Sequence, residues 1–213
     1  MSEQNTNYRI TFAKRGALSF ISHLDFNHSF IRILKRAGLP LRYSEGFNPR
    51  PKIVFGLPLS VGMVGENELV DIGLTDALSS DEVMARLASA VPDELEIKSV
   101  DEPGLKMKHI EFAKYLVRLY NCKLDTEKAN AVMKNPPQVL KHTKSGDKMT
   151  DISGMIKDAF ATIDGEDTVL NLTLTAFDSM YLNPEYVVSA LKNANLNVPD
   201  EYDITRTEII FKS

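Results

Sequence analysis

The chain has 213 residues, 43% of them hydrophobic and 25% charged, with a formal net charge of −4, enough for one large or two small domains with buried cores. One cysteine, Cys122, excludes an internal disulfide and any multi-cysteine zinc or iron–sulfur site built by this chain alone. No apolar run reaches the length of a membrane span and the polar start MSEQNTNYRI lacks a signal-peptide core, so a cytoplasmic protein is expected.

In chain order, YRITFAK (8–14) alternates as a strand. A helix follows, with Ser22 as its cap, Asp25 three residues on, and Gly38 and Pro40 as its stop. Helical spacing puts Phe26, Phe30, Ile33, Leu34 and Ala37 on one face and His28, Ser29, Arg32, Lys35 and Arg36 on the other. Leu24 and Ile31 fit neither arc. LPLRYS and PKIVFGLPL read as extended pieces joined by a turn at EGFNPR, with breaks expected at Pro51 or Pro58. ENELVDIGLT reads as the returning strand of a hairpin. Ser79 and Glu82 form a capping box for a helix carrying Val83, Leu87 and Val91, stopped by Pro92, and ELEIKSV closes the unit as a strand. The order β, α, β, β, α, β is the ferredoxin-like, or split-βαβ, arrangement.

DEPGLKMKH (101–109) is turn-rich and polar, and marks the expected boundary between a basic ferredoxin-like unit over 8–100 and a second, smaller unit over 110–213. The fold class is α+β throughout. In the second unit FAKYLVRLYN reads as a strand, and DTEKANAVMKN as a helix capped by Asp125 and stopped by Pro136-Pro137. HTKSGDKMTDI reads as a hairpin around Ser145-Gly146, and SGMIKDAF as a short helix. TVLNLTLTAF is the clearest strand, with Leu170, Leu172 and Leu174 to one side. Asn183-Pro184 opens a helix running to Leu191, and YDITRTEIIF closes as a strand.

The catalytic inventory is thin. His23 and His28 are the only close histidine pair, and five positions apart they do not share a helix face as metal ligands do at three or four. No P-loop, post-strand GxGxxG or GxSxG elbow is present. Asp25 and Asp71 have ordinary uses at a helix start and on a strand surface. Cys122, near a strand end, reads as an idle thiol. No metal or cofactor is expected.

The charge distribution is more informative. Residues 8–62 carry nine Lys/Arg against Asp25 and Glu45, a local +7 within a whole-chain −4. Charge is screened beyond roughly 8–10 Å at physiological salt, so an anionic partner responds to the local patch. Arg32, Lys35 and Arg36 share a helix face, and Arg42, Arg50 and Lys52 follow, with Tyr43, Phe47 and Asn48 interleaved. Cations with aromatic rings suit single-stranded nucleic acid, where phosphates meet the cations and bases stack. The alternative is a solvated helix face with Tyr43 and Phe47 in the core. Lys141, His142, Lys144 and Lys148 make a smaller basic hairpin, read as a solvated turn.

The run HLDFNHSFIRILKRAGLPLRYSEGFNPRPKIVFGLPLSVG resembles the signature of the radical SAM-linked protein family, a bacterial domain of unknown function. The match lies in His23-Leu24-Asp25, Arg32 to Arg36, Ala37 to Pro40, Tyr43 to Pro49 and Pro51-Lys52. The second half fits more loosely: Thr143-Lys144-Ser145-Gly146 and Asp151-Ile152-Ser153-Gly154 depart from the family's Thr-Lys-Lys-Gly and Asp-Ile-Arg-Pro. The resemblance implies a companion to a radical SAM enzyme, which would hold the cluster and perform the radical chemistry. The expectation is therefore a non-catalytic accessory protein that presents RNA or another anion to that partner, away from membranes. Two alternatives remain, a metal-independent RNA-processing enzyme using His23 or His28, and a docking scaffold that binds no nucleic acid.

Overall fold

Tyr8, Ile10 and Phe12 alternate toward a buried face along the first strand, β1 (Thr6–Lys14), and this spacing places the first core. The computed structural model describes residues 6–143, 146–177 and 180–212. It divides into two units between His109 and Ile110.

In the first unit β1 is followed by α1 (His23–Arg36), β2 (Ile53–Phe55), β3 (Val64–Leu74), α2 (Ser80–Ala88) and β4 (Leu95–Asp101). β1 pairs antiparallel with β3 and β4, and β2 pairs antiparallel with β3, giving the order β4-β1-β3-β2. Both helices begin where their caps demand: the Ser22 hydroxyl accepts from the Asp25 N–H, and that of Ser79 from the Glu82 N–H. α1 ends at Gly38, whose φ of +65° is the left-handed conformation that glycine adopts without penalty. Phe26, Phe30, Ile33 and Leu34 turn inward onto Ile10, Phe12, Val70 and Ile72, joined by Val83 and Leu87 of α2. Each such burial contributes roughly 1.5–3 kcal/mol. Phe12, Phe26, Phe30 and Phe55 form one ring cluster, with centroids 5.5–6.3 Å apart. β2 is confined to three residues between Pro51 and Pro58, because proline cannot donate to a ladder.

The second unit comprises β5 (Ile110–Leu119), α3 (Thr126–Lys134), β6 (Val139–Thr143), β7 (Gly146–Thr150), β8 (Ile156–Asp164), β9 (Asp167–Thr175), α4 (Glu185–Asn193) and β10 (Tyr202–Phe211). Its pairings give the order β10-β5-β9-β8. With the β6–β7 hairpin set aside, this is the strand order of the first unit, so the α+β reading holds and the topology repeats. The Asp125 carboxylate caps α3 by accepting from the Lys128 N–H. Leu170, Leu172 and Leu174 share the buried face of β9, and Val187, Val188 and Leu191 are buried on α4.

One expectation is overturned. SGMIKDAF is not a helix: after a single tight turn at Ser153–Met155 it becomes β8, the edge strand beside β9. A bulge between Ile156 and Asp158 breaks the alternation there, which is why Met155, Ile156, Ala159 and Phe160 imitate helical spacing. The turn expected at Ser145-Gly146 lies partly outside the described residues, as does Lys144. Among the described residues no helix is long and apolar enough to cross a membrane.

Candidate functional site

The segment between α1 and β2 is an extended excursion held to the sheet by its backbone. Arg42 N–H donates to Gly73 O at 2.8 Å, Lys52 N–H to Arg42 O at 2.8 Å, and Gly73 N–H to Lys52 O at 2.9 Å. Tyr43 and Pro51 form the next bridge, and Ser44 N–H donates to Arg50 O at 2.8 Å. Arg42 and Lys52 thus stand opposite each other, as do Ser44 and Arg50. The Ser44 hydroxyl accepts from the Arg50 N–H at 3.0 Å and closes the loop. Gly46, at φ +119°, turns its tip in a conformation that side chains resist.

At that tip Phe47 is wholly exposed, at 106% of its reference area, so the core alternative for this ring does not hold. Tyr43 is 39% exposed, with the Lys35 ammonium 5.9 Å from its ring centroid. That contact ties the α1 face to the loop. Arg32, Asn48, Arg50 and Lys52 are exposed, and among the described residues no acidic side chain pairs with Arg32, Lys35, Arg50 or Lys52.

The structure does not gather all the expected cations at one spot. The Arg36 guanidinium donates to Ala90 O at the end of α2. Arg42 lies across Gly73, where an added Cβ would meet its Nε at 2.9 Å, and donates to the Asn7 Oδ1 at 2.6 Å. Alternation along the segment sends Tyr43 toward the helix side and Arg42 to the opposite face of the sheet. There Asn7 and Asp71 line an open groove of about 500 Å3 with Glu102 and Lys106. The Asp71 carboxylate in that groove is already taken by Arg9, at 2.7 and 2.9 Å. Arg15 is likewise committed, to Glu66 and Glu96.

The histidines do not converge. His23 packs edge-on against Phe55 at 5.4 Å, whereas His28 is exposed, about 140° further round α1. His23 instead lines a cavity of about 10 Å3, the size of one water, with Lys14, Glu68 and the Phe12, Phe26 and Phe55 rings. Lys14 and Glu68 are 2% and 4% exposed, and the Lys14 ammonium lies 4.9 Å from the Phe26 centroid. Sequence reading passes over both residues. Their signal is faint: Lys14 follows Phe12 by two positions and so shares its face, and Glu68 is the register partner of Phe12.

Burial pushes the Cys122 thiol upward, away from the thiolate form, and its Sγ donates to Asn197 O at 3.4 Å. Among the described residues no group of three His, Cys, Asp or Glu side chains is arranged to hold a metal ion.

No curated protein matches the chain. Among solved structures, a Cbf5-Nop10-Gar1 complex is similar at 12% identity and TM-score 0.49, over 95% of this chain and 48% of that one, so this chain spans about half its length. An unknown protein from Galdieria sulphuraria is similar at 12% identity, TM-score 0.30, over 95% and 99% of the two chains. A putative glycine cleavage system transcriptional repressor is similar at 10% identity, TM-score 0.26, over 98% and 99%. The fold assignment rests on strand order, not on these likenesses. Residues 7–184 match the family described as "Uncharacterized protein conserved in bacteria (DUF2344)".

Proposed function

We propose a binding role for this chain, which belongs to the uncharacterized bacterial family DUF2344: it presents single-stranded RNA to a radical SAM enzyme. The observation that carries this reading is Phe47, a ring wholly exposed at a loop tip beside Arg50 and Lys52, cations with no acidic partner among the described residues. A large apolar ring held in water gains nothing from the fold, and base stacking gives it an apolar partner worth roughly 1–3 kcal/mol. Arg32, Lys35, Arg50 and Lys52 supply phosphate contacts, and Tyr43 a second stacking surface. Asn48 adds a neutral hydrogen-bonding group at the same tip. Arg36 and Arg42, already bonded within the fold, contribute to the local field more than to direct contacts. The radical SAM partner is proposed from the His23-to-Lys52 motif, and the radical chemistry belongs to that enzyme.

Fluorescence anisotropy with a labelled oligouridylate tests the reading. The wild-type chain is expected to bind, and an Arg50→Glu, Lys52→Glu variant of unchanged thermal stability to lose most of that affinity. Equal binding by both proteins contradicts it.

A second reading is docking without RNA. It is favoured by three exposed apolar side chains: Phe20 and Leu24 on either side of the α1 cap, and Val61, next to Gly62, whose N–H donates to Ser19 O at 2.8 Å. Capture of the enzyme that survives ribonuclease, with no affinity for RNA, supports this second reading alone.

A further inference from the structure

The two units share one strand order, and each elaborates the same connection, from its first helix to its second strand. In the first unit that connection is the 42–52 loop, and in the second it is the β6–β7 hairpin. The correspondence extends to charge. Arg42 stands opposite Lys52 in the first excursion, and Lys141 stands opposite Lys148 in the second. Like charges directly across a ladder destabilise it by a few tenths of a kcal/mol to about 1 kcal/mol. A free two-stranded hairpin has little stability to lose. An opposing acid would remove that penalty, yet the hairpin's acid, Asp147, stands at the position opposite His142.

The hairpin is also built to project. Its base is anchored by Val139, with Ile152 just beyond its second strand, and both are fully buried. Its next pair, Leu140 and Met149, is 46% and 52% exposed. The Lys141 ammonium is steered by the Tyr186 ring, 5.3 Å away, and by Tyr181 O at 3.5 Å. Among the described residues the Lys148 side chain has no hydrogen-bond or ion-pair partner. Its backbone carbonyl accepts from the Thr150 hydroxyl at 3.1 Å.

We infer that the β6–β7 hairpin is a second phosphate-contacting site, equivalent to the 42–52 loop, with single-stranded RNA as its ligand through Lys141 and Lys148. The inference rests on the RNA reading of the first unit. It converts a turn that reads as merely solvated into half of a duplicated device. External phosphates supply the negative charge that the Lys141–Lys148 pair lacks.

The test measures oligouridylate affinity across a salt series for the full chain, a Lys141→Gln, Lys148→Gln variant and an Arg50→Gln, Lys52→Gln variant. All are first checked for unchanged thermal unfolding. A Lys148→Gln single variant covers the case in which loss of the Lys141–Tyr186 contact unsettles the fold. Loss of two contacts to a single strand lowers the slope of log affinity against log salt by about 1.4, and affinity at physiological salt by about tenfold. For the single variant the slope change is about 0.7. If the hairpin variants match wild type while the loop variant is weakened, the second site does not exist and the first-unit reading stands. If the full chain binds no RNA, or the loop variant binds as wild type does, the first-unit reading falls and this inference falls with it.

Discussion

Arg15 and Glu66 meet in a two-pronged ion pair, Nε to Oε1 at 2.8 Å and Nη2 to Oε2 at 2.5 Å, while Arg15 Nη1 reaches Glu96 at 2.7 Å. The arginine just past the end of β1 thereby clamps the start of β3 to β4. In the second unit Arg118, near the end of β5, holds Asp167 and Asp164 on either side of the β8–β9 turn, at 2.8 and 2.7 Å. In both units an arginine at or just past the end of the first strand thus holds two carboxylates.

This pair sets an acid dependence. The Arg15 hydrogen bonds hold the Glu66 carboxyl below its ordinary range, so it is more acidic folded than unfolded. Its contribution is complete above the ordinary carboxylate value and is lost as pH falls through the lower folded value. Glu66→Gln is expected to destabilise by roughly 1 kcal/mol at neutral pH, a modest figure because the Arg15 side chain is 44% exposed. The gap between variant and wild type should close in acid. Urea melts across a pH series check this, and a gap independent of pH contradicts it.

Lys14 and Glu68 line one aromatic-walled cavity and are both buried. If the two opposite charges in this cavity compensate each other, removing either costs roughly 3 kcal/mol. Lys14→Met and Glu68→Leu are each expected to destabilise by about that much. The double variant should recover at least about 1 kcal/mol relative to their sum. A double-mutant cycle by denaturant unfolding measures the coupling, and strict additivity rules it out.

The Phe30 ring is fully buried against Phe12 and Phe55, whereas Leu24, on the same helix, is 63% exposed. Phe30→Ala is expected to destabilise by roughly 3–5 kcal/mol. Leu24→Ala should fall within about 0.5 kcal/mol of wild type. Thermal or denaturant unfolding separates the two, and similar values for both would contradict the packing described.

Phe47 makes the opposite prediction. With no burial to lose, Phe47→Ala should leave the unfolding temperature unchanged while weakening RNA binding about tenfold or more, the equivalent of one lost stack. Loss of stability without loss of affinity would make the ring structural.

The local signals in the sequence carried the helices. Ser22, Ser79 and Asp125 announce their starts through hydrogen bonds made within three residues, and a cap needs no knowledge of the rest of the fold. The edge strand β8 was hidden because its partner is distant and its bulge shifts the alternation into an apparent helical stripe. The basic cluster was legible as composition but not as geometry. Adjacent strand residues point to opposite faces, so Arg42 and Tyr43 part company, and only the register shows which way each goes. Lys14 and Glu68 are separated by 54 positions and meet only through the β1–β3 ladder. The repeated topology was not legible as a repeat in the sequence. It emerged from strand order alone, because many sequences satisfy the same pattern of buried and exposed positions.

The most direct test of the RNA reading is the salt dependence of oligouridylate binding by the wild-type chain and by an Arg32→Gln, Arg50→Gln, Lys52→Gln variant. The four first-unit contacts, from Arg32, Lys35, Arg50 and Lys52, contribute about −3 to the wild-type slope, and removing three of them should make it shallower by about 2. A flat wild-type dependence, or a variant with the wild-type slope, would contradict the account.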